Sequence, residues 1–302
     1  MASEISPAAM LNWVDRDLYD MYRQRPYYRD HSNDPGWRAD NSELPPSHAP
    51  AATDPPPPPA VSLHQGDCLS VTRDFPDHMV DMICADLPYS TNYKHHHRHL
   101  AWNQPVDLAA LWVQFRRITK PHRPIVLFAI QPFTTDLVVS ARDMFKFELV
   151  WVKNRPADFI HANNRPMRNH ESILVFSAGK ISPASRSNRR MPYYGREIAE
   201  DDRYPRSVID DIPDDPAASV IADVADAPSD HNRHSMQKPV ALLRLLIKMF
   251  SRPGEVVLDP TMGSGTTGVA ALEEGRSFVG IEWHPPFFDI ARERIASMRS
   301  TI

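Results

Sequence analysis

Hydrophobic positions after residue 60 alternate between two spacings, one typical of strands and one typical of amphipathic helices. Short apolar runs rich in β-branched residues cover 61–65, 80–85, 125–130, 147–152 and 172–177. Apolar residues at helical spacing cover 107–118 and 134–145. Strands that alternate with helices in this way predict a mostly parallel sheet with helices on both faces.

A second group of elements follows a charged segment at about 180–234, in which hydrophobic periodicity is weak. It comprises a helix at 239–250, a strand at 256–258, a helix at 264–274, a strand at 278–281 and a helix from about 285 to 298. The chain of 302 residues is long enough for one sizeable α/β domain. We therefore expect a single domain over 61–302, with 180–234 inserted across one end of the sheet.

Residues 1–60 differ from the rest in composition, since they contain 11 of the 30 prolines and end in five consecutive prolines. Such a segment is extended and cannot easily build a core, so we expect a mobile tail with a short docking helix near 8–22. No apolar run approaches the ~18 residues of a membrane span, and the first residues lack the pattern of a signal peptide. Cys68 and Cys84 have neither metal nor disulfide spacing. These features favour a cytoplasmic protein.

Charge is unevenly distributed, although the net charge is only -4. Residues 153–196 contain nine Lys and Arg against two acids, whereas 200–230 contains ten acids against two Arg. The basic stretch is the natural surface for phosphate contacts, and the alternative is a solvated surface that binds nothing.

A glycine-rich turn at 263–268 matches G-x-G-x-x-G, follows a predicted strand and opens a predicted helix. Glu282 follows Gly263 by 19 residues, at the end of the next strand. Small residues let backbone N–H groups approach a ligand, and such an acid accepts hydrogen bonds from ribose hydroxyls. NAD would fit this pattern, but Asp259 at the strand end would repel a pyrophosphate and attract an ammonium group. A turn that merely packs strand against helix is the remaining alternative.

A second turn, Asp86-Leu87-Pro88-Tyr89, closes the apolar strand at 80–85. Pro88 fixes its own backbone and biases Leu87 toward extended geometry, so the Asp86 carboxylate and the Leu87 carbonyl can face the same way. These two acceptors match the two N–H donors of an exocyclic amine. Tyr89 adds a ring for stacking, worth roughly 1–3 kcal/mol per base. An ordinary strand-to-loop turn is the alternative.

Three segments in this order resemble the amino-methyltransferases of DNA in their permuted, beta-type arrangement. They are the Asp86–Tyr89 turn, His-Ser-Met-Gln-Lys-Pro at 234–239 and Asp-Pro-Thr-Met-Gly-Ser-Gly-Thr-Thr at 259–267. The resemblance covers about 61–299 and implies a permuted Rossmann-like, seven-stranded methyltransferase sheet. It also implies S-adenosyl-L-methionine as cofactor, double-stranded DNA as partner and methylation of adenine N6 or cytosine N4. Asp rather than Ser at position 86 favours adenine, and Leu87 stands where proline is commoner.

The same resemblance implies roles for individual residues. The catalytic set is Asp86, Leu87, Pro88 and Tyr89. The cofactor-binding set is Asp67, Cys68, Ser235, Gln237, Lys238, Asp259, Thr261, Gly263, Ser264, Gly265, Thr266 and Glu282. Within that set, Asp67 and Cys68 are expected at the cofactor's adenine and Glu282 at its ribose. Asp259 is expected near its ammonium group and Lys238 at its carboxylate.

Several alternatives stay open at this point. They are an NAD-dependent oxidoreductase, an RNA methyltransferase and a non-catalytic DNA-binding relative. DNA contact is expected through Lys153–Arg196 and the 180–234 insertion. His95-His96-His97 lacks the i, i+4 spacing of helical zinc sites, so we expect no metal. The sequence leaves the oligomeric state open, a homodimer included.

Overall fold

The central strand of the sheet, β2 (Met82–Asp86), sends alternate side chains to opposite faces. Met82 and Cys84 join one buried cluster, and Ile83 and Ala85 join another. Because both faces are covered, the strand is apolar from Met82 to Ala85 rather than alternating. The computed structural model describes residues 58–88, 106–182, 185–199, 204–210, 212–213 and 237–299.

The described residues form eight strands and six α-helices. The strands are β1 (Val61–Gln65), β2, β3 (Ile125–Ala129), β4 (Phe145–Ala157), β5 (Arg168–Phe176), β6 (Val208–Ile209), β7 (Val256–Asp259) and β8 (Ser277–Glu282). The helices are α1 (Cys68–Arg73), α2 (Leu108–Ile118), α3 (Phe133–Ser140), α4 (Val240–Phe250), α5 (Thr266–Glu273) and α6 (Pro285–Arg299).

All eight strands belong to one sheet, in the order β1-β8-β7-β2-β3-β5-β4-β6. The first five of these are mutually parallel. Strand β5 lies antiparallel between β3 and β4. The order places β2 beside β7, although the last residues of these strands, Asp86 and Asp259, are 173 positions apart in the sequence.

Helices cover both faces of the sheet. The cluster that contains Met82 includes buried side chains of α4, α5 and α6, and the cluster that contains Ile83 includes those of α1, α2 and α3. Because three helices cover each face, the ends of the strands are the part of the sheet that helices leave uncovered. Ligands of such sheets bind at the carboxyl ends of the parallel strands.

The predicted α/β architecture is confirmed, with differences at its margin. The eighth strand, β6, is a two-residue addition that pairs in parallel with β4. It falls within 180–234, and its Ile209 is buried in the cluster that contains Met82, so this piece of the insertion is part of the sheet. The helix predicted at 134–145 ends at Ser140, because the chain enters β4 at Phe145.

Some predictions lie outside the described residues. These include the whole of 1–57, which contains most of the proline-rich tail, and the three consecutive histidines. Within the part of the chain that the structure describes, no helix is long and apolar enough to cross a membrane. No cluster of metal-ligating side chains occurs there either.

Candidate active site

Four strand ends meet at one edge of the sheet and bring most of the predicted residues together. Neighbouring strands β1, β8, β7 and β2 are parallel, so their carboxyl ends lie side by side. Asp67 follows β1, while Glu282, Asp259 and Asp86 are the last residues of β8, β7 and β2. Parallel pairing thus converts positions far apart in sequence into one acidic edge.

A hydrogen bond joins the two turns that the sequence singled out. The hydroxyl of Thr261, two residues after β7, donates to the main-chain carbonyl of Asp86 at 3.0 Å. The glycine turn and the Asp86 turn are therefore parts of one site.

The glycines of the 263–268 turn have different surroundings. Gly263 has φ +52°, and a Cβ there would meet nothing within 4 Å, so its backbone faces open space. A Cβ on Gly265, where φ is +80°, would lie 2.9 Å from Cβ of Ala291. A Cβ on Gly268 would lie 2.6 Å from Cδ1 of Ile295. Gly263 thus leaves room for a ligand, whereas Gly265 and Gly268 allow α6 to approach.

Side chains from three other segments contact this turn. Glu282 accepts hydrogen bonds from the backbone N–H of Gly263 at 2.9 Å and of His284 at 2.8 Å. Arg294 of α6 donates to the carbonyl of Ser264 at 2.8 Å. The Ser264 hydroxyl lies 3.4 Å from the Gln237 amide oxygen, which brings the segment before α4 to the same turn.

Asp259 lies beneath the turn and is buried. Its carboxylate accepts from the Thr261 N–H at 3.0 Å and from the Thr267 hydroxyl at 2.6 Å. Burial raises the pKa of Asp259 to about 7, against the two hydrogen bonds that lower it, and the charges of Asp86 and Glu282 raise it further.

The acidic side chains at this edge favour a ligand that carries positive charge. Burial also raises the pKa of Asp86 and of Glu282, so three carboxylates share a poorly hydrated site. A cationic ligand relieves their repulsion, whereas a pyrophosphate would increase it. S-adenosylmethionine carries a sulfonium and an ammonium group, and it therefore fits these residues better than NAD does.

Asp67 and Cys68 start α1 at the far side of this edge. Asp67 caps the helix by accepting from the Ser70 N–H and hydroxyl, both at 2.9 Å. Gly66 N–H donates to the Glu282 carbonyl at 3.0 Å, which keeps this segment beside β8. Cys68 is buried, and burial together with the Asp67 charge raises its pKa to about 11. It is therefore a neutral thiol at physiological pH.

Asp86 presents two chemically different oxygens. Its Oδ2 accepts from the Lys238 ammonium at 2.6 Å. Its Oδ1 is shielded and has no hydrogen-bond partner among the described residues, although a third of the side chain, 33%, remains exposed. Leu87 is buried in the cluster that contains Ile83, which explains why an apolar side chain suits this position. Pro88 follows at the limit of the described segment.

Sequence reasoning missed Glu171 of β5, and it also missed Arg294 of α6. The Glu171 carboxylate lies 3.2 Å from the Lys238 ammonium and 2.6 Å from that of Lys153. The sequence signal was available, because Glu171 is one of only two acids in the basic stretch at 153–196. Lys153, expected on a phosphate-binding surface, is paired with Glu171.

The structure brings together nearly all of the predicted residues that it describes. Lys238 lies against Asp86 and Glu171. Tyr89 and Ser235 lie outside the described residues, and their predicted roles stay predictions.

Comparison with known proteins gives a consistent family match. A sequence model described as DNA methylase matches residues 80–293. The DNA adenine methyltransferase YhdJ of Escherichia coli (strain K12) is 25% identical over 254 residues, which is 78% of this chain and 83% of the relative. The type II methyltransferase M.HinfI of Haemophilus influenzae is 25% identical over 261 residues, which is 79% of this chain and 69% of the relative.

A solved structure shares the fold at lower identity. The PvuII DNA methyltransferase, described as cytosine-N4-specific, superposes with a TM-score of 0.55 at 15% identity. The match covers 80% of this chain and 94% of that chain. At this identity the likeness concerns the fold alone.

Proposed function

Because this chain belongs to the DNA methylase family, whose members use S-adenosyl-L-methionine, we propose that it methylates N6 of adenine in double-stranded DNA. The observation that carries the proposal is the unpartnered Oδ1 of Asp86, in a carboxylate whose other oxygen is held by Lys238. A buried acceptor without a partner is costly and suits a ligand that brings its own donor.

An exocyclic amine supplies such a donor. Asp86 Oδ1 accepts one N–H of the target amine, and the Leu87 carbonyl accepts the other. Two hydrogen bonds on the same nitrogen draw it out of conjugation with the ring and make its lone pair available. S-adenosylmethionine, when bound, supplies an electrophilic methyl group on a sulfonium centre. The residues act by positioning the amine and by charge fixed in advance.

The cofactor is proposed to lie along the carboxyl edge of β8 and β7. The open space over Gly263 leaves room for its methionine portion. Asp259 is assigned to its ammonium and Glu282 to its ribose, each in addition to the hydrogen bonds that already hold the turn. Asp67 and Cys68 are assigned to its adenine. Thr266 and Gly265 support the turn from the start of α5.

The target base must leave the duplex to reach Asp86, because an amine inside a base pair is inaccessible. Tyr89 is the proposed stacking platform. Apart from Lys153, which is paired with Glu171, the basic stretch Lys153–Arg196 and the 180–234 insertion are proposed to track phosphates. Exposed Arg186 and Arg189 are suitable members of that surface.

Cytosine N4 is the second candidate, since it too is an exocyclic amine conjugated to a ring. Asp at position 86 favours adenine by resemblance, and the adenine-specific relative from Escherichia coli favours it as well. The NAD alternative does not agree with the family match.

The direct test pairs a methyl-transfer assay with sequencing of the product. The Asp86→Ala variant should lose transfer of tritiated methyl to duplex DNA while its cofactor affinity stays within a few fold. Asp143→Ala, which alters an exposed acid paired with Arg116, serves as the control. Single-molecule sequencing of host DNA, with and without expression, reports the modified base. If the modified base is N4-methylcytosine, the target is cytosine rather than adenine. Full activity of Asp86→Ala would refute the mechanism.

The phosphate surface has a separate test. Changing Arg186 and Arg189 to Gln should reduce the slope of log Kd against log salt by about one unit per lost contact. Arg292→Gln, an exposed change on α6, should leave the slope unchanged. Unchanged slopes for both variants would place DNA elsewhere.

A further inference from the structure

Four ionic side chains form a continuous chain that ends at the catalytic carboxylate. Lys238 lies between Asp86 Oδ2, at 2.6 Å, and Glu171 Oε2, at 3.2 Å. Glu171 Oε1 in turn accepts from Lys153 at 2.6 Å. Two carboxylates and two ammonium groups alternate, so the cluster is neutral as a whole.

The cluster comes from separate elements that the sheet order brings together. Strand β3 lies between β2 and β5. On one side its Phe128 pairs with Asp86 of β2, and on the other side its Ala129 pairs with Ser172 of β5. Glu171 therefore lies two strands away from Asp86 at the same edge. The Lys238 ammonium lies 5.1 Å above the Phe128 ring, between the two acids.

Burial makes this arrangement costly unless every member is paired. The Lys238 and Glu171 side chains are only 9% and 7% exposed. Burial alone would raise the pKa of Glu171, but the ammonium groups of Lys238 and Lys153 lower it to about 2. Glu171 therefore stays ionised at physiological pH, and removing it would leave a buried ammonium with one partner fewer.

We propose that Glu171, supported by Lys153, is a positioning residue for methyl transfer. It holds Lys238 on one oxygen of Asp86, so that the other oxygen remains directed at the target amine. The inference rests on the proposed function only in that Asp86 receives the amine, and it holds equally for adenine and cytosine. A lysine bound by Asp86 alone has several rotatable bonds, and it could also cover Oδ1 and compete with the amine.

Sharing Lys238 also controls the charge of Asp86. The charged and titratable groups near Asp86 are Lys238 before α4, Glu171 on β5, Lys153 on β4, Asp259 on β7 and Cys84 on β2. Burial raises the pKa of Asp86, Lys238 lowers it and Glu171 raises it. Removing the Glu171 charge should therefore lower the pKa of Asp86. The acidic limb of the kcat profile should then move to lower pH, even as kcat itself falls.

The experiment compares Glu171→Gln with a matched buried carboxylate at the opposite end of β2. Asp81 is buried and pairs with Lys120 at 2.7 Å and Arg123 at 3.2 Å, far from the site. Both Glu171→Gln and Asp81→Asn should lower Tm. Only Glu171→Gln should reduce kcat, by about tenfold or more at saturating cofactor and DNA, with KM for the cofactor within about threefold.

Two further variants complete the test. Glu171→Asp should restore part of kcat, because it restores the charge, and Lys153→Met should weaken kcat less than Glu171→Gln. Wild-type kcat and an unshifted pH profile in Glu171→Gln and Lys153→Met would overturn the proposal. So would a Glu171→Gln variant whose only defect is the Tm loss seen for Asp81→Asn. Failure of the proposed function appears differently, as a wild-type protein that methylates no base.

Discussion

The Thr261 hydroxyl donates a 3.0 Å hydrogen bond to the main-chain carbonyl of Asp86 and so fixes the glycine turn to the Asp86 turn. Methyl transfer needs the amine and the methyl group in line, and a small misplacement of one turn relative to the other is costly. One side chain therefore couples the two halves of the site.

Thr261→Val removes this hydrogen bond and largely keeps the shape of the side chain. We expect a stability loss of about 1 kcal/mol and a fall in kcat of roughly tenfold, because the turns lose their register. Cofactor affinity should change little. Denaturant unfolding and steady-state kinetics measure these effects.

Thr134→Val is the matched control, since the buried Thr134 hydroxyl has no hydrogen-bond partner in the described part of the chain. Its kcat should equal that of the wild type. A Thr261→Val variant with normal kcat would show that the hydrogen bond has no role in alignment.

Gly263 and Gly268 should respond to Ala in opposite ways. A Cβ at Gly263 enters open space, so Gly263→Ala should cost only about 1 kcal/mol of backbone strain and should weaken cofactor binding. A Cβ at Gly268 meets Ile295 at 2.6 Å, so Gly268→Ala should cost about 1–3 kcal/mol through overpacking.

Isothermal titration calorimetry and denaturant unfolding separate the two effects. If Gly263→Ala binds the cofactor like the wild type, the open space over this glycine is not the cofactor site.

The acidic edge could be predicted from sequence because it depends on local patterns, namely apolar strands that each end in an acid. Asp86, Asp259 and Glu282 each end an apolar strand, and the carboxyl ends of parallel strands meet at one edge. Knowing the strands was therefore enough to place these acids together.

Glu171 could not be placed in this way. It lies on an antiparallel strand inserted between β3 and β4, and that order depends on packing that no local pattern records. The partner of Asp86 likewise comes from a segment 152 residues away. The lysine was identified, but its contact with Asp86 was not.

The glycines show the same division. The sequence motif marked Gly263, Gly265 and Gly268 as equivalent members of one pattern. Which glycine faces a ligand and which faces α6 depends on Ala291 and Ile295, which the motif does not contain.

Cofactor affinity should depend on pH through Asp259, whose pKa is raised by burial to about 7. Below that pH the carboxyl becomes neutral and attracts the cofactor's ammonium less. We expect affinity to fall by up to about tenfold per pH unit below 7, measured by calorimetry.

Asp259→Asn should bind weakly and lose most of this dependence. The stability of the free protein should change in the opposite sense. The pKa of Asp259 in the folded protein lies above the ordinary value of 3.8. The protonated carboxyl therefore contributes fully to the free energy of unfolding below pH 3.8, and this contribution is lost as pH rises through about 7. A pH-independent wild-type affinity between pH 5.5 and 8 would remove Asp259 from the proposed ammonium site.

Arg294 should affect cofactor binding without touching the reacting groups. It donates to the Ser264 carbonyl at 2.8 Å, to the Ser264 hydroxyl at 3.1 Å and to the Thr266 hydroxyl at 3.3 Å. Arg294→Met keeps the aliphatic stem and removes these donors, so the turn should lose its preferred shape. Because a hydrogen bond from a charged group contributes about 1.5–3 kcal/mol, KM for the cofactor should rise about tenfold or more. The kcat at saturation should stay within about threefold, since Asp86 and Lys238 are unaffected.

Arg292→Met on the same helix is the control, because it alters an exposed residue paired with Asp289. It should leave KM for the cofactor unchanged. Equal KM values for the two variants would show that Arg294 does not support the turn.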